Sequence, residues 1–222
     1  MAEDTLHRLA DGTPVRTRPL RPEDREKLRN GFARLSPESR YRRFFSAPGT
    51  LSEATLDYLT TPDGRDHVAI GAELAAPDAD RSYGLGIARF VRLPDEPSAA
   101  EAAVAVIDEM QHRGVGRLLL RELILAAHAQ GVTTFVCHVL PGNEPVEAML
   151  RDAGAEPSVL EGGVQTYRLA LPAVLPEERD EAALYRLFRL AAKGLGVIVR
   201  RLPGGDGQPD VRAATGPGTG TR

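Results

Sequence analysis

The 222 residues are 42% hydrophobic and 27% charged, a balance that supplies a core for one generous domain, or a compact one with extensions, in an ordinary soluble protein. A formal net charge of −3 argues against bulk capture of nucleic acid, and a single cysteine, Cys137, excludes an intramolecular disulfide framework and a cysteine zinc cluster. With Glu3 and Asp4 near the start, no signal-like apolar segment, and no run near the roughly 18 apolar residues of a membrane span, cytoplasmic residence is expected.

In chain order, TPVRTRPL reads as a strand followed by a turn and a helix. Pro22 sits where a helix accepts proline, Glu23 and Asp24 suit its positive end, and Leu28, Phe32 and Leu35 recur at helical spacing. Ser36-Pro37 opens a second helix, SPESRYRRFF, by N-cap and first-position logic, and Ser52 caps a third that carries Leu56 and Leu59. The stretches HVAIGAEL and YGLGIARFVRL then read as strands around the turn-rich AAPDADRS, and AEAAVAVID as a third. Next comes MQHRGVGRLLL, from Met110 to Leu120. Beyond it Leu119, Leu120, Leu123, Ile124 and Ala127 mark the buried stripe of a helix that Gly131 stops. TTFVCHVL is a strand, NEPVEAMLRDAG a short helix closed by Gly154, and VQTYRLAL the last strand.

A crossover helix between two strands of one sheet requires those strands to be parallel. The expected fold is therefore α/β: a mixed, mostly antiparallel, twisted sheet with a central parallel pair and helices on both faces, over residues 13–171. Residues 1–12 read as a polar lead. Residues 172–202 form a linker and an amphipathic helix with Leu184, Leu187, Phe188 and Ala191 on one side, and 203–222 a disordered Gly/Pro-rich tail. The helix is expected to pack on its own domain or on a second copy, giving a homodimer, rather than on a membrane.

The glycine pair gains meaning from its setting, since a buried strand enters the loop and a long helix leaves it. The first-turn N–H groups of that helix point beyond its end, where the dipole favours negative charge. Gly114 and Gly116 remove the side chains that would keep a pyrophosphate away, and Arg113 and Arg117 add charge outside. The P-loop ending is missing, and Leu119 replaces the third glycine of a dinucleotide fingerprint. Read alone, the loop is also compatible with a glycine-softened turn before a helix.

The stretch VAVIDEMQHRGVGRLLLRELILAAHAQGV, with HVLPGNEPVEAMLRDAGAE after it, resembles the acetyl-CoA-binding core of the GNAT N-acetyltransferase family. The family pattern Gln/Arg-x-x-Gly-x-Gly/Ala is met by Gln111, Gly114 and Gly116, and its later asparagine by Asn143. The N-terminal RPLRPEDREKLRNGFARLSPESRYRRFF is similar to the subgroup of bacterial protein-lysine acetyltransferases. The resemblance implies acetyl-CoA as acyl donor and no metal. The backbone at Val104 and Val106 would pair with the pantetheine arm. The amides of Gln111, His112, Arg113, Gly114, Val115, Gly116 and Arg117 would hold the pyrophosphate, and Asn143 would contact the cofactor further along.

Acetyl transfer to an amine needs a neutral nitrogen, and a lysine with a pKa of about 10.4 is almost wholly protonated at neutral pH, so a general base is called for. A strand amide near Val106 suits the thioester oxygen. In the look-alike lysine acetyltransferases a carboxylate on this strand serves as base, which places Glu101 in the role. His138, five residues before Asn143, matches the position of a catalytic glutamate in ribosomal-protein N-terminal acetyltransferases and is the second candidate. The acid tyrosine found seven residues after the asparagine in many members is Leu150 here; Tyr167 is a candidate substitute, but a half-buried strand tyrosine is the better reading of it. Cys137 and His138 are adjacent on a strand and point to opposite faces, so no nucleophile–base pair is expected. The acceptor is a protein lysine or a small-molecule amine. A non-catalytic acyl-CoA-binding module is the competing reading.

Overall fold

A computed structural model describes residues 4–37, 39–40, 49–76, 83–139, 147–148, 150–151, 154–161 and 164–172. The strands are β1 (Thr5–Arg8), β2 (Pro14–Pro19), β3 (His67–Leu74), β4 (Gly84–Leu93), β5 (Glu96–Val106), β6 (Thr134–Val139), β7 (Glu156–Glu161) and β8 (Val164–Ala170). The helices are α1 (Arg25–Ala33), α2 (Glu53–Thr60) and α3 (Val115–Ala129). All eight strands form one sheet in the order β1-β2-β3-β4-β5-β6-β8-β7. Only β5 and β6 are parallel, the pair that α3 connects. The expected mixed sheet is thus observed, with its parallel pair where the crossover demanded it.

Strand alternation sends two sets of side chains to two helical layers. Val68, Ile70, Ala88, Phe90, Val104 and Val106 pack with Leu119, Leu123 and Ile124 of α3. On the opposite face Ile87 packs with Phe32, Leu35, Leu51, Leu56 and Leu59 from α1, α2 and the segments flanking them. Helix α1 comes unusually close to β4, since a Cβ on Gly31 would lie 2.8 Å from the Gly84 carbonyl oxygen.

Local chemistry sets the helix ends. The Ser52 hydroxyl accepts from the Thr55 amide at 3.1 Å and caps α2 as expected. At the end of α3, Gly131 takes a positive φ of 71°. Its N–H donates to His128 O and that of Val132 to Ala127 O, the paired bonds of a Schellman motif. At Pro37 a helical turn begins, the Ser39 amide donating to Ser36 Oγ at 3.1 Å. The rest of the Arg-rich segment, Asn143, the C-terminal helix and the tail lie outside the described residues.

Asp24 is more than a favourable acid at a helix start. It is buried, and Arg18 donates to its two oxygens at 2.7 and 2.6 Å while the Arg21 amide donates at 2.9 Å. Burial works against its charge, but Arg18 and the Arg21 amide outweigh that and hold its pKa below the ordinary aspartate value. Arg18 also reaches Glu73, which takes Lys27 at 2.6 Å. This network ties β2 and β3 to the start of α1.

Candidate active site

The parallel pairing of β5 with β6 extends over three residue pairs, Ala99–Thr134, Ala100–Phe135 and Glu101–Val136. Beyond Glu101 the two strands part, while β5 continues to Val106 and β6 to Val139. The Ile107 N–H donates to Leu85 O on the β4 side, so by alternation the backbone groups of Ala102, Val104 and Val106 face the fork. The Val106 carbonyl meets Gln111 Nε2 there at 3.2 Å. Where two strands of a sheet diverge, the inner edge is a place for an extended ligand to add main-chain hydrogen bonds. The side chains of Val104 and Val106 themselves are core, packed toward α3.

At the far end of β5 the chain enters the glycine loop. His112 has φ 61° and Gly114 φ 96°, while Gln111 has φ −64°. The two positive φ values bend the loop sharply ahead of α3. The first bond of α3 runs from Leu118 N–H to Gly114 O at 3.0 Å, which leaves the Val115 and Gly116 amides ahead of the helical ladder. Val115 anchors the loop with a fully buried side chain.

The loop side chains have other duties. Gln111 Nε2 donates to Asp108 at 2.9 Å as well as to Val106 O, bracing the strand exit. Arg113 turns outward to Asp11, 2.6 Å away, and to Thr13 of the β1–β2 turn. Asp11 has its pKa lowered to about 2, first by Thr13 and then by Arg113. Asp108 and Glu109, at the start of the loop, are engaged as well. Asp108 accepts from the Ser36 amide at 2.8 Å and Ser39 Oγ at 2.7 Å, and Glu109 from Tyr83 at 2.6 Å and Arg34 at 3.2 Å. They fasten the glycine loop to the segment after α1.

Glu101 and His138, separate candidates in sequence, meet at the mouth of the fork. His138 Nε2 lies 3.3 Å from Glu101 Oε1, and its Nδ1 lies 3.1 Å from Thr166 Oγ1 on β8. An Nε2–H tautomer donates to the carboxylate and receives the Thr166 hydroxyl on Nδ1, so both ring nitrogens are satisfied. Their side chains are 19% and 8% exposed, which leaves the carboxylate as the more accessible partner. Farther along β5 the same face carries an open apolar groove between α1 and the β4–β5 pair. Leu28, Phe32, Leu35, Leu59 and Ile87 line it, with Lys27 at its edge.

Cys137, next to His138, points the other way into the α3 core, where burial pushes its thiol up to about 12. Leu150 is core on that side too. Tyr167, paired with Cys137, shares this face: its hydroxyl donates to Glu147 at 3.0 Å and accepts from Arg151 at 3.1 Å. Burial first, then Glu147, raises its pKa. Tyr167 therefore stands across the sheet from Glu101.

The sequence carries no motif that marks Thr166 or the buried Arg89 with its neighbour Tyr58. Arg89 was discoverable in principle, as an arginine at an inward position of the apolar strand GLGIARFVRL.

A strand fork followed by an amide-lined loop at a helix N-terminus is an arrangement suited to an extended ligand with an anionic portion. The model of the acetyltransferase (GNAT) family matches residues 41–155, more than half of the chain, and the chain belongs to this family. It is 36% identical over 141 residues to Acetyltransferase Pat of Mycolicibacterium smegmatis, across 62% of this chain and 40% of that protein. It is 37% identical over 123 residues to Acetyltransferase PA5475 of Pseudomonas aeruginosa, across 55% of this chain and 64% of that one. The chain thus spans less than two thirds of either relative. Among solved structures, the GNAT domain of S. lividans PAT superposes with a TM-score of 0.67 at 29% identity, over 76% of this chain and 97% of that domain.

Proposed function

We propose that the chain transfers an acetyl group from acetyl-CoA to the ε-amine of a protein lysine, by direct attack within a ternary complex. The observation that carries this reading is the Glu101 carboxylate, held by His138 at the mouth of the β5–β6 fork, on the sheet face that farther along β5 carries the groove under α1. Likeness to two acetyltransferases and to the PAT domain supports the acyl-transfer chemistry.

The residues present fit the donor. The open edge at Ala102, Val104 and Val106 suits the pantetheine arm, and the amides of His112 to Gly116 suit a pyrophosphate. Acetyl-CoA supplies an activated acyl thioester. Glu101 takes the proton of the incoming ammonium, directly or through a water, so that the neutral nitrogen attacks. His138, its ring nitrogens engaged by Glu101 and Thr166, orients the carboxylate rather than competing for that proton. A β5 amide near Val106 donates to the thioester oxygen as charge develops. No acid tyrosine is required: the C–S bond breaks to release coenzyme A as its thiolate, a stable enough leaving group, which takes up the proton lost from the newly acylated nitrogen.

Incubating the purified chain with acetyl-CoA and a panel of lysine peptides and small amines, with thiol release followed and the product mass identified, tests the reading. Lysine acetylation that falls with Glu101→Gln upholds it. Acetyl-CoA binding without thiol release from any acceptor would overturn it in favour of a binding module. Turnover confined to small amines would move the acceptor class.

A further inference from the structure

Beside Glu101, on the same face of the sheet, lies a cation that the fold's hydrogen bonding does not account for. Arg89 on β4 is completely buried, and its Nε, Nη1 and Nη2 have no hydrogen-bond partner among the described residues. Register puts Arg89 opposite Ala103 and Val91 opposite Glu101, so Arg89 and Glu101 are diagonal neighbours on one face. The Tyr58 ring covers the guanidinium, its centroid 4.9 Å from Cζ. That ring also stacks on His67 at 4.6 Å.

A guanidinium stays charged even in such a place, and burying it without hydrogen bonds is costly enough that an apolar residue of similar volume packs better. The position therefore calls for a role other than packing. His67 is no counter-charge, since burial and the Arg89 charge keep it neutral, with a pKa of about 4. Burial lowers the Arg89 pKa below the ordinary arginine value, and what works against that is Tyr58, through its field and its hydroxyl at the limit of hydrogen bonding, together with the field of the Glu101 carboxylate. Around Arg89 and Glu101 on this face stand His67 on β3, Tyr58 on α2, His138 on β6 and Arg168 on β8, which is paired with Glu96 at 2.5 Å, while Arg18, Asp24, Glu73 and Lys27 form their own ion-pair network farther along it. Arg89 is the one fixed positive charge among them that is held without a hydrogen-bonded anion.

We propose that Arg89 is a positioning residue for Glu101: the field of its buried guanidinium holds the neighbouring carboxylate ionised beside His138. The proposal deepens the reading of Glu101 as general base and rests on it. By this account β4 contributes to the chemistry without touching either substrate. Tyr58 and His67 shield the guanidinium from water, so its field reaches Glu101 little screened.

The test is the pH profile of kcat/KM for the full chain with acetyl-CoA and a lysine peptide. Arg89→Met is expected to move the midpoint of the acid limb up by about one pH unit with KM for acetyl-CoA unchanged. Arg89→Lys, which keeps a charge, moves it less than half as far. An acid limb unmoved in Arg89→Met, in a protein whose activity Glu101→Gln abolishes, would overturn the proposal. Should Arg89→Met not fold, the side-chain carboxyl 13C resonance of Glu101 is titrated in the wild-type protein and in Arg89→Lys. A higher midpoint in the variant supports the proposal and identical midpoints overturn it. If Glu101→Gln retains full turnover, the base reading is what fails, and the NMR titration alone then judges the Arg89 field.

Discussion

The Glu101 carboxylate and the His138 imidazole, 37 residues apart in the chain, stand 3.3 Å from each other where β5 and β6 part. Two residues that sequence offers as rival bases thus form one unit, with Thr166 on the far side of the ring. Glu101→Gln is expected to lower kcat/KM about 100-fold or more, with the Kd for CoA unchanged. His138→Ala removes orientation only and costs about 10-fold, and the double variant loses no more than Glu101→Gln alone, because the residues act together. Steady-state rates and calorimetry on the three proteins check this.

Gly114 caps α3 with φ 96°, in space where an added Cβ meets Leu9 only at an ordinary 3.9 Å. The cost of Gly114→Ala is therefore backbone strain, about 1–2 kcal/mol. Relaxation of that strain turns the loop amides aside. Thermal unfolding should show a fall of a few degrees, and calorimetry a Kd for CoA raised about 10-fold, equivalent to about 1.4 kcal/mol.

His67 makes the fold acid-sensitive. Burial first, and the Arg89 charge second, hold its folded pKa to about 4, against 6.5 for the unfolded group. Between those values the unfolded chain binds the extra proton. Stability is thus complete above about pH 6.5 and declines as the pH falls toward 4, by on the order of 3 kcal/mol. Urea unfolding at pH 7.5 and 4.5 reads the loss, and His67→Gln should flatten it.

Asp24→Asn leaves the buried Arg18 guanidinium short of its main partner. Breaking one side of a buried pair is expected to destabilise by about 3 kcal/mol or more. Arg18 retains Glu73, which keeps the loss at the lower end of that range. The midpoint of denaturant unfolding measures it.

Tyr167→Phe separates a structural hydroxyl from a catalytic one. The hydroxyl is engaged by Glu147 and Arg151 on the α3 face of the sheet. The variant should lose about 1 kcal/mol of stability and keep kcat within about threefold of wild type. A drop of 100-fold in kcat at unchanged KM would instead make Tyr167 the proton donor.

The parts of the fold legible in sequence are those with a strong period or a punctuating residue. The α3 stripe, the Ser52 cap and the Gly131 stop are local signals, and all three are observed. The parallel β5–β6 pair followed from them by connectivity. Strands β1 and β7 were not legible because both are sheet edges, where alternation carries little burial: Leu6 is 68% and Val159 53% exposed. At the site, the glycine loop was legible because its backbone chemistry is written in contiguous residues. The Glu101–His138–Thr166 unit was not, since strand order and register across β5, β6 and β8 bring it together. Asp24 and Arg89 escaped for a related reason: a charged residue gives no local sign of being buried.

The fork has a mechanical side. The sheet consists of a five-stranded plate, β1 to β5, and a three-stranded plate, β6, β8 and β7, spliced through three residue pairs. A ligand lying along Ala102 to Val106 would act as a missing lath between them. Such a protein stiffens when it is loaded, so hydrogen exchange should slow on β6 and β8 even where no ligand atom touches them. The smaller plate, which holds His138 and Thr166, would then be set against Glu101 most firmly when the donor is in place.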